Sequence, residues 1–193
     1  METSEVSYTY LSLEWEHSNV YEGSRSLTYG FSFEVADPIH IFGGWQNAKL
    51  DIGIPIPGGM DIVEADREGY LVGLGVKQGV GKGKTIQLRA GYIASKTEIP
   101  EIPILGYPPT IAEGDGYYLE AGIRTLPLPK WELDAFVAYF DIGDDVNSQS
   151  EMIFVTLERR IAESLGLNIS GRFVFGDNES ENIIFGTRYH FDF

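Results

Sequence analysis

The chain has 193 residues, 43% of them hydrophobic and 13% aromatic, with no cysteine and a formal net charge of −15. That length suits one domain with a full core, and the missing cysteines remove disulfides, thiolate catalysis and cysteine metal sites. The negative charge argues against nucleic acid and anionic lipid surfaces, because phosphate would repel it.

No stretch of about 18 apolar residues is present, so a membrane-spanning helix is not expected. The opening METSEVSYTY lacks the basic and then apolar layout of a signal peptide, and the sequence reads as a mature chain that begins after any such peptide. Twenty-three glycines, eleven tyrosines and eleven phenylalanines, with few amphipathic helical periods, point to strands and turns. The expected class is all-β.

Ten period-two segments follow one another, each of about ten residues, the length of a tilted strand crossing a bilayer. The first, near 6–17, sets Leu11, Leu13 and Trp15 against Tyr8, Tyr10, Ser12, Glu14 and Glu16. In the second, SRSLTYGFSFEVA, Leu27, Tyr29, Phe31, Phe33 and Val35 oppose Ser26, Thr28, Gly30, Ser32 and Glu34. The third, near 39–50, changes parity around Asn47, as a β-bulge would make it do. The fourth covers about 69–78, and the fifth, near 84–95, sets Ile86, Leu88, Ala90 and Tyr92 against Gln87, Arg89 and Gly91. The sixth and seventh present Leu119, Ala121, Ile123 and then Leu133, Ala135, Val137, Tyr139 on the apolar side. The eighth spans about 151–161, and the ninth sets Leu167, Ile169, Phe173 and Phe175 against Asn168, Ser170 and Arg172. The tenth is the closing FGTRYHFDF, which alternates to the last residue. The third, fourth and eighth are irregular, which leaves eight strands as the alternative to ten.

The connections alternate in length. Those after the second, fourth, sixth and eighth segments are short, whereas those after the third and fifth run to about 16 and 19 residues. An even number of antiparallel strands, short turns at one rim and long loops at the other is the layout of an up-and-down bacterial outer-membrane barrel. The last strand then pairs with the first, which explains an aromatic C-terminus held in a ladder. Trp15, Tyr29, Trp45, Tyr117, Trp131, Tyr139, Tyr189 and Phe193 are the candidate aromatic belt residues. A soluble lipocalin-like barrel, apolar inside around an apolar ligand, is the competing reading. Against it stands a polar face that carries glycines, serines and charges of both signs.

The runs HIFGGW (40–45), GYLVGLGV (69–76), GYYLEAGIR (116–124), LGLNISGRFVFGDN (165–178) and FGTRYHFDF resemble the small outer-membrane barrels of xanthomonads and related gammaproteobacteria. These are of the type proposed as activators of plant immunity and quorum factors, OmpA/OmpX-like in general architecture. The resemblance covers most of the chain and implies an integral outer-membrane location. It contains no catalytic signature, and it carries over no functional residue.

With the apolar face on lipid, the lumen receives Glu14, Glu16, Glu34, Glu120, Glu132, Asp134, Glu158 and Asp192 together with Lys77, Arg89, Arg124, Arg160, Arg172 and Arg188. In so narrow a space these groups are expected to pair into an ionic network, since an unpaired charge away from water costs several kcal/mol. Tyr8, Tyr10, Phe42 and Phe136 also point inward. The alternative is a narrow passive pore whose slight acidic excess favours cations. No catalytic residue is expected. Of the three histidines only His17 stands near the outer rim, and its neighbours Glu16 and Ser18 point to the opposite face.

The segments GIPIPGGMDIVEAD (53–66) and EIPEIPILGYPPTIAEGD (98–115) are read as Pro-stiffened outer loops. Their Ile54, Ile56, Ile102, Ile104, Leu105 and Tyr107 form a candidate interaction surface. No cofactor and no protein metal site is expected. The expected partners are outer-membrane lipid, lipopolysaccharide bridged by Ca²⁺ or Mg²⁺ to rim carboxylates, and the outer-membrane assembly machinery through the C-terminal strand, with the protein a monomer.

Overall fold

A computed structural model describes residues 8–18, 24–56, 59–102, 105–143, 148–176 and 179–191. Ten strands follow in chain order: β1 (Tyr10–Ser18), β2 (Arg25–Ala36), β3 (Ile39–Ile56), β4 (Gly59–Gly81), β5 (Lys84–Ile99), β6 (Thr110–Leu128), β7 (Trp131–Ile142), β8 (Ser148–Arg160), β9 (Leu165–Gly176) and β10 (Ser180–His190). Each pairs antiparallel with its neighbours in sequence, and β1 pairs with β10 to close the barrel. Closure runs from Tyr10↔His190 to Ser18↔Asn182. It removes the edges that an open sheet would leave unsatisfied in lipid.

Turns at one rim are short. They occupy 37–38, 82–83, 129–130 and 161–164, and the described chain ends, Tyr8 and Phe191, lie there too. Phe191 N–H donates to Thr9 O at 3.0 Å and His190 N–H to Ser164 O at 2.7 Å, so both ends are tied down. By the asymmetry of such barrels this is the periplasmic rim.

Burial is inverted relative to a soluble protein. Leu74, Leu88, Val137, Ile169 and Phe185 are exposed on the outer surface, while Arg124, Glu132, Glu158 and His190 are buried within. The register follows from period two: Leu11, Phe31, Leu13 and Tyr29 share one face around β1 and β2, and Tyr10, Ser32, Ser12 and Gly30 share the other. Large apolar groups standing in water at every second position would drive aggregation. On lipid they are at rest, and the soluble reading with its apolar interior fails on this point.

Two expectations about the outer end need correction. Residues 53–66 and 98–115 are mostly strand: β3 runs to Ile56, β4 begins at Gly59, β5 reaches Ile99 and β6 begins at Thr110. The connection between β5 and β6 is 100–109. Nor is there a bulge near Asn47, since β3 pairs in unbroken register with β2 from Lys49 to His40 and with β4 from Ile56 to Ile39. The register shifts lie instead at Glu34/Ala36, Gly79/Gly81 and Thr125/Leu128, beside the periplasmic turns.

What changes at Asn47 is the surroundings, not the pleat. Outward positions of β3 pass from Ile39, Ile41 and Trp45 to Asn47, Lys49 and Asp51, while inward positions become Ala48, Leu50, Ile52 and Ile54. The same inversion occurs on β4, where Val72 and Tyr70 give way to Glu68, Asp66 and Glu64. Strands β3 to β6 therefore rise past the membrane boundary, where the outer face meets water and the inner face becomes the apolar one.

Candidate functional site in the barrel lumen

The periplasmic half of the lumen holds an interlocked charge cluster. Arg124 on β6 faces Asp134 on β7 in the register. It donates Nε to Oδ1 at 2.7 Å and Nη2 to Oδ2 at 2.8 Å, with Glu132 Oε1 at 3.2 Å from Nε. From β10, Arg188 Nη1 reaches across to Glu132 Oε1 at 3.0 Å and Glu158 Oε2 at 2.9 Å. His190 Nε2 meets Glu158 Oε1 at 2.6 Å, and Arg160 Nη2 approaches His190 Nδ1 at 3.4 Å.

A second group adjoins it. Arg89 Nη1 lies 3.3 Å from Glu120 Oε1, and Gln87 Nε2 and the Tyr118 hydroxyl donate to the same carboxylate. Arg89 Nε donates to His40 Nε2 at 3.1 Å. Tyr10 lies under Arg188, with the guanidinium carbon 4.3 Å from the ring centroid, and Tyr8 lies 4.7 Å from Arg124 by the same measure. Aromatic faces against guanidinium groups are favourable, and more so away from water. These contacts stack the N-terminal tyrosines into the cluster.

Nearer the outer end, Arg172 Nη2 pairs with Glu16, which also accepts from Ser26 Oγ at 3.0 Å, and Gln46 Nε2 donates to Ser26 at 3.2 Å. Glu34 and Lys77 pair near the periplasmic rim. Glu14 points inward without an ion pair among the described residues. Asp192 and Phe193 lie outside the described residues.

The expected charge network left out several lumen residues. Gln87 and His190 fell on the polar face by alternation but were not placed in the network, and His40 and Tyr118 sit at inward positions of strands already recognised. Arg67 was hidden, because its stretch was read as a loop.

Of the belt residues, Tyr29 and Trp45 stack on the outer surface at 5.4 Å between ring centroids, and Tyr117 lies 5.9 Å from Tyr139. Trp15 stacks on His17, which faces outward and away from Glu16. Toward the periplasmic side Tyr189 packs on Phe191 at 4.9 Å and Phe191 meets Phe33, while Trp131 lies under Arg159. Tyr70 and Tyr92 are exposed outward-facing aromatics that the sequence reading did not include.

The loop candidates divide. Ile54 faces inward on β3 and is half-buried. Ile102 and Tyr107 bridge each other, with Ile102 N–H donating to Tyr107 O at 3.0 Å and Gly106 in the left-handed region at φ 69°. Tyr107 is exposed and Leu105 half-buried. Ile104 and the side chain of Ile56 lie outside the described residues. Among the described residues no cluster of three or more histidine or acidic side chains is arranged to hold a metal ion.

Neither a protein-family model nor a curated protein matches the sequence. Solved structures do match in three dimensions. The β domain of the Bordetella autotransporter BrkA superposes with a TM-score of 0.60 at 9% identity, over 96% of this chain and 100% of that one. The NanC porin gives 0.53 at 9% identity, over 95% and 100% of the two chains. The KdgM porin gives 0.51 at 9% identity, over 95% and 99%. The shared feature is the fold of outer-membrane barrels. At such identity nothing about substrate or partner is transferred.

Proposed function

We propose that the protein is an integral outer-membrane β-barrel, monomeric, whose lumen is closed by an ionic and aromatic plug and whose role is structural or surface interaction. The observation that carries the reading is the cluster of Arg124, Arg188, Glu132, Asp134 and Glu158, buried and mutually paired at the periplasmic end. Charges held in this way resist hydration, because breaking one pair leaves the others uncompensated. A projecting sheet formed by the outer ends of β3 to β6, with exposed Ile62, Tyr107 and Ile111, supports contact outside the cell. Its outward carboxylates, Asp51, Glu64, Asp66, Glu68, Glu98 and Glu113, would bind lipopolysaccharide phosphate only through Ca²⁺ or Mg²⁺. The closing strand β10 supports recognition by the assembly machinery, as the last strand to be paired.

Planar-bilayer conductance tests the plug. The expected trace has no stable water-filled channel, and steady porin-scale conductance from the wild-type chain would favour the narrow pore instead. The surface role is tested by replacing residues 100–109 with a two-residue turn. Barrel folding is expected to persist while binding to neighbouring cells falls, and unchanged binding would remove this sheet as the contact surface.

A further inference from the structure

Above the plug the lumen keeps a cavity of about 410 Å³, within the size range of small-molecule sites. One wall is apolar, with Phe140, Met152, Phe154, Val174 and Ile184 contributed by β7 to β10. The opposite wall, from β1 and β4, carries Glu14, Glu16 and Arg67, and Arg172 joins them from β9. The cavity thus joins a run of apolar side chains to charged ones, and ligand sites combine apolar lining with placed polar groups.

The charges do not pair off one to one. Four carboxylates line the cavity, Glu14, Glu16, Glu120 and Asp134, against five arginines, Arg67, Arg89, Arg124, Arg172 and Arg188. Arg172 pairs with Glu16, Arg89 with Glu120 and Arg124 with Asp134, while Arg188 turns to Glu132 and Glu158. Glu14, desolvated by burial, lies in the fields of Arg188, Arg172 and Glu16 and has no ion pair among the described residues. Arg67 has no ion pair among the described residues, and the charge that acts on it is another cation, Arg172. Arg172 in turn leaves its Nε buried without a hydrogen bond. Two guanidinium groups with spare donors thus share the lining of the chamber.

We propose that this outer lumen binds a small amphipathic organic anion. Its acidic group sits on Arg67 and Arg172, and its aromatic or aliphatic body lies against Phe140, Met152 and Phe154. Guanidinium forks suit carboxylate, sulfonate and phosphate oxygens, and the missing counter-charge at Arg67 selects an anion over a neutral or cationic analogue. The ligand enters from the outer end, since the plug blocks the other. The site depends on the barrel and not on the surface role, so either can fail alone.

The test uses the full chain refolded into lipid nanodiscs and titrated calorimetrically with 1-naphthoate, with empty nanodiscs as the blank. Neutral 1-naphthalenemethanol and cationic 1-naphthylmethylamine serve as comparisons. The expected result is saturable one-to-one binding of the naphthoate, weakened about tenfold or more in both comparisons and in Arg67→Met. Val174→Trp, which fills the chamber, is expected to abolish binding while heat-modifiable gel migration is retained. Arg67→Met removes no ion pair and keeps the test decisive should Val174→Trp fail to fold. Heat no greater than the blank, equal binding of all three probes, or binding untouched by Arg67→Met would overturn the proposal.

Discussion

Arg124 and Asp134 hold each other through two parallel hydrogen bonds, Nε to Oδ1 at 2.7 Å and Nη2 to Oδ2 at 2.8 Å, between neighbouring strands at the periplasmic end of the barrel. The hairpin of β6 and β7 places the two residues opposite one another, and both are nearly removed from solvent. Removing the guanidinium leaves Asp134 and Glu132 as buried anions short of a partner. Arg124→Met is therefore expected to destabilise the barrel by roughly 3–5 kcal/mol in urea unfolding from detergent. Adding Asp134→Leu should restore part of that loss. A single variant within about 0.5 kcal/mol of wild type would show that the cluster is not coupled as described.

The membrane boundary makes a contrast between two outward positions on adjacent strands. Leu74 lies on the lipid face of β4, where a new arginine is expected to cost about 2–4 kcal/mol in a bilayer. Asn47 on β3 lies past the Tyr29 and Trp45 stack, and Asn47→Arg should stay within about 0.5 kcal/mol. Unfolding by guanidinium from lipid vesicles reads both. Equal costs would remove the boundary from between these residues.

Gly75 faces the lumen directly beside the ring of His40, and a Cβ built there would collide with that ring. The glycine leaves room for the imidazole that accepts from Arg89. Gly75→Ala is expected to destabilise by about 1–3 kcal/mol, the range of overpacked cores. His40→Ala in the same chain should recover much of it, an interaction visible in a double-mutant cycle. Additive effects of the two substitutions would mean that the ring moves aside freely.

Outside the membrane, the Lys49 ammonium pairs with Glu64 and lies 3.6 Å from Asp66. The hydrogen bond from Lys49 holds the Glu64 carboxyl below its ordinary value and raises Lys49 above its own. For a depressed carboxyl the contribution is complete above the unfolded value, about 4.3, and is lost as pH falls through the lower folded value. Amide exchange in residues 49–66 is thus expected to quicken below about pH 4 and in molar salt, because the pair is exposed and screened. In Glu64→Gln the acid step should vanish. Its persistence there would assign it to another carboxylate.

Much of the lumen could be read from alternation alone. Glu120, Arg124, Glu132 and Asp134 fall at every second position of two regular segments, and hairpin register makes Arg124 and Asp134 neighbours. Arg172 and Glu16 are different, standing 156 residues apart and meeting only because β10 closes on β1. The outer ends of β3 and β4 were misread for a physical reason. Period two is constant there, but the medium outside the sheet changes from lipid to water, so the polar and apolar faces exchange. Prolines and glycines at the tip reinforced the appearance of a loop.

Composition and alternation by themselves determined an all-β chain of antiparallel strands, with charges of both signs on one face and aliphatic groups on the other, and left the choice of ten strands over eight to the structure. Side chains of successive residues must point to opposite faces, and that constraint is local. Which face encloses the lumen, how far β3 to β6 rise above the membrane, and which arginine finds which carboxylate were decided by closure. Only a closed barrel turns one face into a lumen where charges from distant strands meet, and there Arg67 stands without an ion pair among the described residues.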